Sequence, residues 1–141
     1  MTTSETLRRA GFALRAAPLV FATGARVARL DREVSFGALV AELRRARERP
    51  LAPRLANPAW LAGTLERLLP AVPPYRYGPC LRRALILLEL WTRCGLEPTL
   101  HLGFRLQAPE RDGHAWLTAR TSDGSPLQVS GPNGTEPAFE L

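Results

Sequence analysis

The chain has 141 residues, with 19 basic against 13 acidic side chains, a net charge of +6 and 45% apolar residues. That is the size of one compact domain with enough apolar surface to bury a core, which excludes an intrinsically disordered chain. Two cysteines exclude a disulfide-stapled scaffold, and the basic excess, all Arg with no Lys beside abundant Leu and Ala, reports G- and C-rich coding more than affinity for nucleic acid.

The N-terminal apolar stretch 10–28 is interrupted by Arg15, Pro18, Gly24 and Arg26, so neither a signal peptide nor a membrane span is expected. A reducing cytoplasm with free thiols is the expected compartment. Leu7, Phe12, Leu14, Leu19, Val20, Val27 and Leu30 recur on a rough helical period, and Pro18 is expected to divide them between two short helices. Ser35 reads as the N-cap of a helix over 36–49, where Phe36, Leu39, Val40 and Leu43 follow i, i+3, i+4, i+7 and Arg44, Arg45, Arg47 and Arg49 suit the C-terminal end. Asn57 and Pro58 start a third helix, carrying Trp60, Leu61, Leu65, Leu68 and Leu69, that stops at Pro70.

Residues 70–79 form a proline-rich, aromatic connector that holds the chain extended. The helix over 80–94 follows, with Leu81, Ala84, Leu85, Leu88 and Trp91 on one stripe and Gly95 placed as its C′ residue. Cys80 and Cys94 sit at its two ends, about 21 Å apart at roughly 1.5 Å rise per residue, and cannot pair. The period then changes to two. Leu100, Leu102, Phe104 and Leu106 alternate with Thr99, His101, Gly103 and Arg105, which is a strand. A Pro-Glu-Arg-Asp-Gly loop, a strand over 113–121, a hairpin turn at Ser122-Asp123-Gly124-Ser125 and a strand over 126–130 complete the pattern. The tail 131–141 has turn composition and is expected to be loose. The fold class is therefore α+β, with a helical region over 1–70 and a buried helix packed on an antiparallel sheet of about three strands over 71–141, both in one compact domain.

Two side chains offer chemistry. Cys80 opens a helix, where unpaired backbone N–H groups and the macrodipole favour a thiolate over a thiol. His114, near the start of the second strand in Asp-Gly-His-Ala-Trp, can take the thiol proton and return it to a leaving amine. Taken alone, each also fits an ordinary role, Cys80 as a small buried hydrophobe and His114 as a polar residue on a strand face.

The runs Gly78-Pro79-Cys80-Leu81-Arg82-Arg83-Ala84-Leu85, Arg93-Cys94-Gly95-Leu96 through Gly103-Phe104, and His114-Ala115-Trp116-Leu117, in that order, closely resemble the stand-alone transglutaminase-like leader peptidases of lasso-peptide biosynthesis. The likeness covers about residues 76–130. It implies a papain-like cysteine peptidase core in which Cys80 is the nucleophile and His114 the base, no cofactor is expected, and two Cys and two His at these spacings make no metal site. The implied reaction frees the N-terminal amine of a ribosomally made core peptide, which a separate cyclase of asparagine-synthetase type then joins to an Asp or Glu side chain. Nothing in the chain looks like the leader-recognition element that fused relatives carry, so the resemblance also implies a separate recognition protein that presents the leader peptide.

The third catalytic position is where the sequence departs from that family. Its members place an Asp on the strand after the His strand, whereas the three Asp here are Asp31, Asp112 and Asp123. Pairing about the hairpin apex at Asp123 sets residues 130–133 near His114, so Asn133 and Ser130 are candidates to orient the imidazole, with Gln128 if the hairpin is bulged and Asp123 itself as a further one. The departure motivates an alternative, a non-catalytic transglutaminase-like scaffold that binds the leader or the cyclase. Trp116 shares a strand face with His114 and either shields the dyad or packs in the core, while Tyr75 and Tyr77 precede the nucleophile and are candidates to line the substrate cleft. His101 reads as an exposed or edge residue, Cys94 as packing, and the arginines over 44–49 as a solvated helix face or a docking point for an acidic leader or partner. A third reading, binding of nucleic acid, has no motif or aromatic platform behind it.

Overall fold

Thr2 caps the first helix of the computed structural model, which describes residues 2–105, 112–129 and 136–141. That helix, α1 (Thr3–Glu33), is continuous through Pro18, where two shorter helices were expected. Pro18 cannot donate to the carbonyl four residues earlier, that of Leu14, but both residues lie on the exposed side of α1, so water can replace the missing bond. Its opposite side, with Phe12, Ala16, Val20, Thr23, Gly24 and Val27, is buried.

The caps read from sequence are in place. Ser35 accepts from the Ala38 N–H at the start of α2 (Phe36–Arg44), and Asn57 accepts from the Trp60 N–H at the start of α3 (Pro58–Leu68). The helix expected over 36–49 tightens to a 3₁₀ turn over Arg45–Glu48, and a second 3₁₀ turn, Leu69–Ala71, leads into the connector. Its arginines are tethers as well as solvated groups: Arg44 donates to the Pro98 carbonyl at 2.9 Å, and Arg47 and Arg49 reach Glu97 and Glu89.

The central helix is α4 (Pro79–Arg93), buried continuously from Ala84 to Thr92 and ended by Gly95 at φ +88, a conformation that needs a residue without Cβ. Glu89 lies inside this run with 1% of its surface exposed. Arg26 of α1 donates to it at 2.7 Å and Arg49 at 3.3 Å, so one carboxylate ties three segments together.

The strands are β1 (Thr99–Arg105), β2 (Asp112–Arg120), β3 (Pro126–Val129) and β4 (Glu136–Glu140), antiparallel in the order β3-β2-β1-β4. Among the described residues the sheet thus has four strands where about three were expected, and the second half of the tail expected to be loose is its edge. β4 was hidden because Glu-Pro-Ala-Phe-Glu has neither alternation nor β-branched residues. Pro137 is tolerated because it sits on an edge strand at the register shift opposite Gly103, and Leu141 exchanges both backbone bonds with Leu100 at 2.8 Å. Leu100, Ala115 and Leu117 are buried in one core with the apolar residues of all four helices. No helix among the described residues is long and apolar enough to cross a membrane.

Candidate active site

The connector's path is set by α1. Gly24 lets it approach closely: a Cβ there would stand 2.3 Å from the Val72 side chain and 2.7 Å from the Pro73 carbonyl oxygen. Near the C-terminal end of α1, Asp31 accepts from the Tyr77 hydroxyl and from Arg76, whose guanidinium also lies 5.5 Å from the centre of the Tyr77 ring. Arg82 donates back to the Val72 carbonyl at 3.2 Å. The chain therefore enters α4 in a fixed direction, with Gly78 as N-cap, Pro79 first and Cys80 second. Gly78 has no side chain to cap the helix, which leaves the first-turn N–H groups, that of Cys80 among them, facing outward as potential anion donors. The Cys80 thiol is half-buried.

Topology brings His114 to the same end. Residues 94–98 join α4 to β1 in a short turn, so the two run in opposite directions, and β2 runs opposite to β1. α4 and β2 are consequently parallel, with Cys80 second in one and His114 third in the other. The far ends agree: Cys94 and Arg120 line the same groove, about 14 residues of helix rise (~21 Å) from Cys80 and six residues of strand (~20 Å) from His114. Within the sheet, His114 shares a face with Trp116 and His101, whereas Ala115 and Leu117 alternate onto the side that α4 covers. The three rings stack, with His114 to Trp116 at 5.8 Å and Trp116 to His101 at 5.1 Å between centroids.

A sequence model described as the transglutaminase-like superfamily matches residues 16–132, more than four-fifths of the chain and both Cys80 and His114. The chain belongs to the transglutaminase-like superfamily. Comparison with curated proteins and with solved structures gave no match. The superfamily includes cysteine proteases and transglutaminases, and its α+β core is the arrangement described above.

Against that superfamily's reaction pattern, the remaining residues sort by position. Asp123 accepts from the Thr121 hydroxyl and from the Ser125 N–H, which hold its carboxyl down to about 2 and stitch the β2–β3 turn. It lies beyond the far end of β2, about 20 Å of strand away from His114, and this corrects its candidacy as the orienting residue. Gln128 pairs with Thr118, four residues along β2 from His114. Ser130 and Asn133 lie outside the described residues. Tyr75 is 65% exposed and donates to the Ala71 carbonyl, whereas the Tyr77 hydroxyl is committed to Asp31. Trp116 is buried.

His101 departs from its expected edge position. It occupies a strand flanked on both sides, with its side chain 14% exposed, Nε2 2.7 Å from the Thr118 hydroxyl and Nδ1 3.3 Å from Glu140. Burial pushes the Cys94 thiol up to about 11, which makes it a poor nucleophile at neutral pH. The Asp31 clamp and the Glu89 pairs were missed in the sequence. A single acid inside Leu-Leu-Glu-Leu-Trp was the available signal for Glu89, while Asp31 gave none.

Proposed function

We propose that the chain is a cysteine peptidase that removes the leader from a ribosomally synthesised lasso-peptide precursor. The observation carrying this reading is the position of Cys80 at the uncapped start of α4, at the end of the layer where parallel β2 begins and carries His114 as its third residue. In this reading His114 takes the proton of the Cys80 thiol, and Sγ attacks the carbonyl carbon of the leader's last residue. The Cys80 N–H at the helix start receives the oxyanion. Collapse breaks the peptide bond, His114 returns the proton to the core peptide's nitrogen, and water then hydrolyses the leader thioester. No cofactor enters any step. Asn133 or Ser130 orients the imidazole, and Trp116 shields it from water. A separate recognition protein presents the leader in the cytoplasm, and a cyclase of asparagine-synthetase type takes the freed amine.

The test is precursor cleavage reconstituted with the leader-recognition protein. Cys80→Ala and His114→Ala should each lower the rate by about 10³-fold or more, and cleavage at the wild-type rate by either variant would overturn the proposal. One observation favours a second reading, a scaffold that binds leader or cyclase without cutting: His114 alternates onto the face of Trp116, away from the side that α4 covers. That reading predicts precursor binding by the wild-type chain with no cleavage product.

A further inference from the structure

Helix α1 carries a second apolar stripe that the fold leaves uncovered. At roughly 100° per residue, Leu7, Ala10, Leu14, Ala17, Phe21, Ala25 and Ala28 fall within a sector of about 80°, on the side away from Phe12, Ala16, Val20 and Val27. The stripe is about 31 Å long at ~1.5 Å per residue. Leu7 is 67% exposed, Leu14 79% and Phe21 37%, and no charged side chain falls in the sector between Leu7 and Ala28. Three large apolar residues seven apart on an open face cost solvation without contributing to this chain's own core.

Beside the stripe a groove of about 560 Å³ opens between α1 and α3, lined by Ser4, Leu7, Arg8, Gly11, Arg15 and Trp60. Gly11 widens it, since a Cβ there would meet only the Arg15 guanidinium, at 3.5 Å. Arg8 and Arg15 stand on its rim, and among the described residues neither has a carboxylate partner. The surface therefore combines a row of large and small apolar residues at heptad spacing, a groove floored by an indole, and unpaired positive charge on one flank.

We propose that this face docks an amphipathic helix of another protein, one with large apolar residues on its contact side and Asp or Glu along the flank that meets Arg8 and Arg15. Ala10, Ala17 and Ala25 let a helix approach closely between the larger side chains, and a large residue of the partner fills the groove over Trp60. A second copy of this chain is the poorer occupant. In an antiparallel pairing of two α1 helices each flank faces its own counterpart, which sets arginine against arginine. The proposal is independent of the peptidase reading, because the surface contains neither Cys80 nor His114.

The test uses the full chain and two synthetic helical peptides with the same Leu/Ala face, one flanked by Glu and one by Arg. Binding is read by calorimetry, alongside sedimentation equilibrium of the chain alone and flotation with phosphatidylglycerol/phosphatidylcholine vesicles. The Glu-flanked peptide should bind at least about tenfold more tightly than the Arg-flanked one. Leu14→Glu should remove that binding without moving the melting temperature, and Arg8→Glu with Arg15→Glu should reverse the preference between peptides. Equal binding of both peptides, or of neither, overturns the proposal. So does a dimer of the chain alone that Leu14→Glu dissolves, which makes a second copy the occupant, or vesicle binding without peptide discrimination, which makes the occupant a membrane.

Discussion

Glu89 shows how much a single buried charge is asked to do. Its side chain is 2% exposed and depends on Arg26 and Arg49, whose side chains are 23% and 49% exposed and can turn to water. The two ends of the pair are therefore not equivalent. Arg26→Ala leaves a buried anion short of a partner and should cost about 3–5 kcal/mol, whereas Glu89→Gln removes the charge, keeps the shape and should cost about 1–3 kcal/mol. Urea denaturation of the two variants measures the order, and the reverse order would show that the carboxylate is solvated. Burial also governs Cys94. Because burial raises Cys94 to about 11, it stays protonated at pH 7–8, and its modification by a thiol-directed electrophile should rise only as the pH approaches 11. The sign for stability follows: a thiol favoured in its neutral form by folding contributes fully below its ordinary value of about 9, and that contribution is lost as the pH rises through 11. Mass mapping of the labelled chain, and melting curves across that range, read both effects.

At the scale of elements, the position of Cys80, the proposed nucleophile, depends on a contact far from it in sequence. Gly24 is the point where α1 admits the connector, and Gly24→Val would drive a side chain into Val72 and the Pro73 carbonyl. Overpacking of this kind costs about 1–3 kcal/mol, and because Val72 also receives Arg82 from the first turn of α4, the same change should lower the proposed peptide cleavage beyond what the stability loss explains. Activity measured well below the variant's melting temperature separates the two. Several of these elements were legible in the sequence for local reasons: Ser35 and Asn57 are caps, Gly95 is a C′ residue, and the alternation from Thr99 to Arg105 is unbroken. The elements misread are those whose fate is decided at a distance. Pro18 is harmless because the carbonyl it orphans faces water, and the Glu-Pro-Ala-Phe-Glu segment becomes a strand because β1 offers it an unpaired edge.

For the whole molecule, Cys80 and His114 could be picked out from helix-start and strand-start positions, but their arrival at one end follows from chain direction: a short turn after α4, then a hairpin, makes α4 and β2 parallel. The face on which His114 stands, the ring stack through Trp116 to His101 and the Asp31 clamp were beyond any local pattern, because each joins residues whose spacing in the chain says nothing of contact. The proposed mechanism requires a covalent bond between Cys80 and the leader. Acid-quenched reactions of the chain with precursor and recognition protein, read by intact mass and peptide mapping, test this directly. A transient species heavier by the leader less one water, mapped to Cys80 and absent in Cys80→Ala, is the expected result. Cleavage that proceeds with no acyl adduct on Cys80, and persists in Cys80→Ala, would contradict it.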